Sequence, residues 1–421
     1  MAKRKSSGRS GGSFSLPTWF RSEADAVPLA LVMLSSPQLP LTTLKEVRRY
    51  GFDYLPEPEM LYSGDAKLDG LSDKMKKVLN AAVETQRSGS RSALEEKLRD
   101  VLAELRTTLE TADYNISNLY SLVSTFTSTV PATIVATVAL IGTGAASTAL
   151  ALTVVGLMLA LLAGVVIFPW EYGVPSPPWR TYLPMLAVLP LFLLFSHFGL
   201  EAPLTLALAV GSLPTMVLHL YHSRAELRKL EKAREMVRVA ARAVGNPYYA
   251  LVREGLIKDP EDLLSPEWKG FTRAATLGLW QVLLHGGYEN LRKLEEYMSQ
   301  VLEFVNRLRG KTRVFLVYAV VEAAIVGAIY AVVISSGAIL AAGEGGGEWL
   351  ARTGISGAGV HELREWIDPI LATVSLTLAA ATSGAREGRP HLLPLYLPLC
   401  AGAVWLAWLL AIMYAPHLFA G

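Results

Sequence analysis

Residues 114–170 decide the class of this protein. They read YNISNLYSLVSTFTSTVPATIVATVALIGTGAASTALALTVVGLMLALLAGVVIFPW and contain no Asp, Glu, Lys or Arg. About 20 consecutive apolar residues cross the hydrocarbon core of a bilayer as a helix, so this stretch is long enough for two spans. A soluble core does not bury an uncharged stretch of this length. We therefore expect an integral membrane protein.

The composition of the whole chain points the same way. Of its 421 residues, 52% are hydrophobic and only 18% are charged, whereas about 25% are charged in a soluble domain. The 39 Lys and Arg nearly balance the 37 Asp and Glu, which excludes a strongly basic nucleic-acid binder. The single cysteine, Cys400, excludes an intramolecular disulfide and a cysteine-based metal cluster.

Hydropathy predicts seven membrane spans in a multi-pass protein of the cell membrane. The predicted spans are 125–142, 147–168, 182–198, 202–221, 314–342, 369–382 and 392–419. Short loops rich in Lys and Arg lie on the cytoplasmic side. The loops 171–181, with Arg180, and 384–391, with Arg386 and Arg389, therefore predict a cytoplasmic N-terminus and an external C-terminus. The span at 369–382 is the shortest, and a re-entrant segment there would move the C-terminus inside.

Two amphipathic helical segments lie outside the predicted spans. We divide the chain into a basic arm (1–24), a first cytoplasmic helical domain (25–123), four spans (124–221), a second cytoplasmic helical domain (222–313) and three spans (314–421). Helical stripes of apolar residues mark both domains, as in the segment from Leu291 to Leu308. The fold class is thus an all-α integral membrane protein with two cytoplasmic helical bundles.

The two helical domains look like copies of one repeat. A shift of 197 residues carries Gly89 onto Gly286, Leu94 onto Leu291, Val101 onto Met298 and Leu105 onto Leu302. Each copy has a helix, a glycine break and a long amphipathic helix that continues into the membrane.

This organisation resembles the membrane platform proteins of type IV pilus and type II secretion machines, the F-domain superfamily, and most of all their archaeal pilus and archaellum branch. The small-residue turns VETQRSGSRSAL (83–94) and LLHGGYENL (283–291) carry the resemblance, with the Tyr-containing helix 105–120. The first domain is shorter than in that family. The resemblance implies a scaffold rather than an enzyme, without a cofactor. Its implied partners are a cytoplasmic hexameric ATPase and pilin-like subunits that enter or leave the membrane.

Motifs for chemistry are absent or incomplete. Gly310, Lys311 and Thr312 end like a phosphate-binding loop, but Val305 stands where that loop needs its first glycine. His361 and Glu362 lack the second histidine of a zinc protease helix. We therefore predict no catalytic, cofactor-binding or metal-binding residues.

Glu322 is the one acid deep inside a predicted span. An acid in a membrane span is a candidate functional residue. Three interpretations stay open: a position near the bilayer surface, a hydrogen bond to a neighbouring helix, or ion translocation. The third would make the protein a secondary transporter or channel, which is the alternative function.

Basic side chains on the cytoplasmic helices are candidates for docking the ATPase, although most charged faces are only solvated. These are Arg224, Arg228, Lys229, Lys232, Arg234, Lys74, Lys76 and Lys77. Small residues at four-residue spacing let helices approach closely in lipid, which predicts a compact bundle or a homodimer. These are Gly156, Ala160, Gly164, Ala319, Ala323 and Gly327.

Overall fold

The computed structural model describes residues 18–129, 133, 145–167, 177–342 and 358–419, and their regular structure is entirely helical. The α-helices are α1 (Thr18–Ser35), α2 (Pro40–Val47), α3 (Pro58–Ser63), α4 (Asp73–Ser88), α5 (Ser92–Ser124), α6 (Ala145–Ile167), α7 (Val188–His197), α8 (Pro203–Gly211), α9 (Leu213–Ala241), α10 (Pro247–Arg253), α11 (Gly270–His285), α12 (Glu289–Ala342), α13 (Ala358–Glu387) and α14 (Leu397–Phe419). Short 3₁₀ helices cover Arg48–Tyr50, Trp179–Ala187, Pro260–Leu264 and Pro390–Leu395, and a π-helical turn covers Thr125–Thr129.

Five helical stretches among the described residues are long and apolar enough to cross a membrane. They are Trp179–His197, Pro203–Ala241, Arg313–Ser336, His361–Glu387 and Leu397–Ala415. A sixth is possible if Thr18–Ser35 and Pro40–Tyr50, bent by 117° at their junction, form one broken span. Most of the predicted span 125–142 lies outside the described residues, and α6 covers nearly all of the span predicted at 147–168.

The chain divides into two compact units. The first unit contains residues 1–104 and 229–300, and the second unit contains residues 105–228 and 301–421. The two helical segments that the sequence presents as separate domains therefore contribute to a single unit. The reason is helix α1, which packs against both α4 and α11 and so shares its apolar side chains between the two segments.

The first unit contains one helix break that hydropathy alone does not place. The apolar pattern suggests one helix from Val27 to Arg49, but α1 ends at Ser35 and α2 begins at Pro40. Leu39 has an extended backbone (φ −67°, ψ 146°), which is the conformation that a following proline favours. The two proline rings at 37 and 40 thus turn the chain here.

The repeat is confirmed at the level of helix boundaries. A shift of 197 residues carries both ends of α4 onto both ends of α11, and the start of α5 onto the start of α12. Gly89 and Gly286 follow the paired helices with positive φ angles of 70° and 81°. All six buried positions of α4 fall on buried positions of α11.

The second helices of the two copies, α5 and α12, contact each other and run in the same direction. Their contacting residues are separated by nearly the 197 residues that relate the two copies. In the first unit, Lys293 and Glu95 form an ion pair of 2.7 Å. In the second unit, the rings of Tyr120 and Phe315 stack with centroids 4.7 Å apart, and Thr127 donates a hydrogen bond to Glu322. These partners are 195 to 198 residues apart, so equivalent parts of the two copies lie side by side.

Helix α13 forms the centre of the second unit, where it packs against α6, α8 and α14. In its most apolar stretch of 18 residues, 78% of the residues are buried inside the protein. This share is larger than in any other candidate span among the described residues. The sequence predicts only 369–382 as a span because Asp368 at one end and Arg386 and Glu387 at the other interrupt the apolar pattern.

Candidate functional site

Asp368, eleven residues into α13, caps another helix. Its carboxylate accepts hydrogen bonds from the backbone N–H of Leu204 (2.7 Å), the backbone N–H of Thr205 (2.9 Å) and the Thr205 hydroxyl (2.8 Å). Both residues lie in the first turn of α8. The N-terminal N–H groups of a helix lack partners within the helix and attract negative charge. Asp368 therefore locks α8 onto α13.

The C-terminal end of α13 carries a buried charge cluster around Glu387, whose side chain is 5% exposed. Its carboxylate accepts hydrogen bonds from Tyr396 Oη (2.9 Å) and from an Arg309 Nη (3.3 Å), and Arg386 Nε lies 3.8 Å away. Removing one partner of a buried ion pair typically costs about 3–5 kcal/mol. The cluster therefore ties α12, through Arg309, to the end of α13.

The spacing of these two acids matches a bilayer. Asp368 and Glu387 are 19 residues apart on one helix, which is about 28 Å at 1.5 Å per residue. The hydrocarbon core of a bilayer is about 30 Å thick. If α13 crosses the membrane, one acid lies at each surface of the bilayer, and the apolar segment between the acids fills the hydrocarbon core. The sequence contained this signal, since a pair of acids framing an apolar segment marks the ends of a span.

Glu322 lies on α12 within the candidate span Arg313–Ser336. It is half-buried and accepts a hydrogen bond of 3.1 Å from Thr127 Oγ1, at the π-helical turn that follows α5. A hydrogen bond to a neighbouring helix is one of the three interpretations open from the sequence. Tyr120, close to the same site, shares a hydrogen bond of 2.8 Å with Thr382 of α13.

His219 is a polar residue that the sequence analysis did not single out. It is 3% exposed, and neither of its ring nitrogens has a hydrogen-bond partner among the described residues. The ring of Tyr182 meets it edge-to-face with centroids 5.3 Å apart, and Thr215, one helical turn earlier, is fully buried. A lone histidine in an apolar span gives no spacing pattern, so only the fold reveals its burial.

The candidate packing residues lie in the core of the second unit. Ala160, Ala319 and Ala323 are fully buried. A Cβ on Gly327 would collide with the backbone of Val404 on α14, and a Cβ on Gly156 would lie 3.2 Å from Phe126. Small side chains at these positions thus allow close helix contacts, as such residues do in membranes. The surroundings of Gly164 lie outside the described residues.

The candidate docking residues differ in their availability. Arg224, Arg228 and Lys232 recur every four residues on α9, and all three are exposed, as is Lys77 on α4. Lys229 is half-buried. Arg234 donates to Ser299 (3.2 Å) and Lys76 pairs with Asp73 (3.2 Å).

Lys74 serves the fold of the first unit. It pairs with Glu23 of α1 at 2.8 Å, with both side chains at least three-quarters buried. Its charge is therefore committed to an internal contact rather than to a partner surface.

No group of three or more His, Cys, Asp or Glu side chains among the described residues could hold a metal ion. Comparison of the chain with protein-family models, with curated proteins and with solved structures finds no match.

Proposed function

We propose that this chain is the membrane platform of a type IV pilus-like or type II secretion-like assembly machine. The observation that carries the proposal is the way the chain passes between its two units. It crosses the boundary three times, at residues 104–105, 228–229 and 300–301, and each crossing falls inside a helix: α5, α9 and α12. A continuous helix has no loop in which a displacement is lost.

In this proposal the first unit is cytoplasmic and receives the movement of a hexameric ATPase. The three helices carry that movement to the second unit, whose candidate spans lie in the cell membrane. Pilin-like subunits enter or leave the bilayer against these spans. The chain itself catalyses no reaction and needs no cofactor. Such coupling requires a structural element with two alternative arrangements, and the ATPase and the pilin-like subunits must each shift the equilibrium between them.

The basic face of α9 gives a direct test. Replacing Arg228, Lys229 and Lys232 by Glu should abolish filament assembly while the amount of protein in the membrane stays normal. Charge pairing guides the encounter of partners, so reversal of three charges acts first on association. The matched control replaces three exposed cations of the first unit that lie outside α9, Arg49, Lys67 and Lys258, by Glu. Normal filaments in the α9 variant would remove this face from the proposal.

A further inference from the structure

A groove in the first unit has the composition of a protein interface. It lies where α9 ends and α10 begins, and its volume is about 830 Å³. Arg238, Arg242 and Arg253 line it, together with Val244, Asn246 and Tyr249, and no carboxylate is among its lining residues. We name these six residues the arginine groove.

The backbone makes this groove a fixed feature. Gly245 adopts a left-handed conformation (φ 105°) that reverses the chain after α9. Asn246 then caps α10 by accepting the N–H of Tyr248 at 2.9 Å. This sharp reversal leaves Val244 fully exposed (106%) and Tyr249 71% exposed.

The guanidinium groups are only weakly held by the protein. Arg238 pairs with Glu235 (2.5 Å), Arg242 with Glu295 (3.3 Å) and Arg253 with Glu254 (3.6 Å). The pairs of Arg238 and Arg253 are solvent-exposed, and such pairs contribute about 0–1 kcal/mol each. Arg242 is itself 70% exposed, although Glu295 is 20% exposed. Each guanidinium carries five N–H donors, so a partner carboxylate can bind without the loss of a strong contact.

We propose that the arginine groove docks an acidic segment of a soluble protein partner, with one apolar side chain covering Val244 and Tyr249. Arg and Tyr are the residue types that dominate the energetics of protein interfaces. Carboxylates of the partner match the three guanidinium groups, and the apolar anchor removes Val244 from water. This site is distinct from the basic face of α9 at Arg224, Arg228 and Lys232, and it does not depend on the platform function.

The test uses the full chain in nanodiscs of neutral phosphatidylcholine and two fluorescent peptides of about twelve residues. One peptide has glutamates around a central leucine pair, and the other has glutamates only. Fluorescence anisotropy at low salt should show that the first peptide binds more tightly. Replacing Arg238, Arg242 and Arg253 by Gln should weaken that binding at least tenfold, and replacing them by Lys should restore part of it.

Two further variants separate charge from shape. Replacing Arg224, Arg228 and Lys232 by Gln removes the same number of charges from the same helix region and should change binding less than threefold. Replacing Val244 and Tyr249 by Ser should weaken only the leucine-containing peptide. The inference is overturned if wild-type protein binds neither peptide, if the groove variant binds normally, or if both triple variants lose binding equally. A protein that binds the peptide but assembles no filament would contradict the platform function alone.

Discussion

Helices α4 and α11 occupy equivalent places in the two copies of the repeat, yet α4 buries six of its sixteen residues and α11 buries ten. The shared six positions form the face that each copy needs in order to fold. The additional four go with closer packing on α1: α11 packs along α1 more extensively than α4 does, and also contacts the 3₁₀ helix Pro260–Leu264, whereas α4 contacts α1, α2 and α3. One sequence pattern thus supports helices that differ in burial between the two copies.

The largest effect is expected at the leucine that follows the glycine break in each copy. Leu94 and Leu291 are 1% and 0% exposed. Replacing either by Ala should lower the free energy of unfolding by about 2–5 kcal/mol, because each replacement leaves a cavity in the protein interior. Denaturant unfolding of the full chain in detergent measures this loss. Leu284→Ala, at a residue that is 55% exposed, is the control. A large loss at only one of the two leucines would show that the copies are not equivalent.

A close contact between α11 and α1 at Gly278 should make the second copy more sensitive to an added methyl group than the first. Gly278 faces Ser35 of α1, and an added Cβ would collide with that side chain and lie 3.1 Å from Leu294. Gly278→Ala should therefore destabilise the chain by about 1–3 kcal/mol despite the better helix propensity of Ala. The equivalent first-copy change, Ala81→Gly, should cost about 1 kcal/mol through propensity alone. If Ser35→Gly fails to offset Gly278→Ala in the double variant, this contact is not the cause.

Lowering the pH should weaken the packing of the second copy more than that of the first, because Glu46 contacts Gln281 and His285 of α11. Partial burial raises the pKa of Glu46, but hydrogen bonds from Gln281, Gln38 and His285 outweigh that effect, so the net pKa lies below its usual 4.5. A lowered pKa stabilises the fold above the unfolded pKa, and this stabilisation is lost as the pH falls through the folded pKa.

Wild-type protein should therefore lose more stability than Glu46→Gln when the pH is lowered from 6 to 3, by less than about 1 kcal/mol because solvent screens this partly exposed carboxylate. Chemical denaturation at each pH measures the difference. The first-copy control is Glu84→Gln, since Glu84 is the exposed equivalent of Gln281. Parallel pH curves for wild type and Glu46→Gln would contradict this role of Glu46.

The smallest effect is expected at Glu322, where the two copies meet through Thr127. Glu322→Gln keeps an acceptor for the Thr127 hydroxyl, so stability should change by less than about 1 kcal/mol and filament assembly should persist. A proton-coupled transporter would instead lose its uptake activity. Normal stability combined with loss of a measurable ion or solute flux would favour the transporter over the platform.

The sequence predicts the parts of this fold that depend on local pattern. Glycines 89 and 286 end helices as expected, and the repeat register follows from a few matched leucines and glycines. The full length of α13 could not be read in the same way, because Glu362, Arg364, Glu365 and Asp368 interrupt the apolar pattern in the first third of the helix. The burial of Lys74 against Glu23, and the union of two distant segments around α1, depend on tertiary packing that no local pattern encodes.

The arginine groove illustrates the same limit. Arg238, Arg242 and Arg253 are separated by a helix end and a turn, and only the left-handed Gly245 brings them to one surface. The basic face of α9, by contrast, could be predicted because its residues follow helical spacing. Local spacing thus reveals faces of single helices, whereas surfaces built from two elements require the fold.

The measurement that tests the platform function most directly is purification of the tagged full chain from its own host in mild detergent, followed by mass spectrometry of the associated proteins. The platform function predicts a secretion-class ATPase, with or without pilin-like subunits, in amounts that fall when Arg228, Lys229 and Lys232 are reversed. Recovery of the chain alone, under conditions that keep other membrane complexes of the same cells intact, would contradict it.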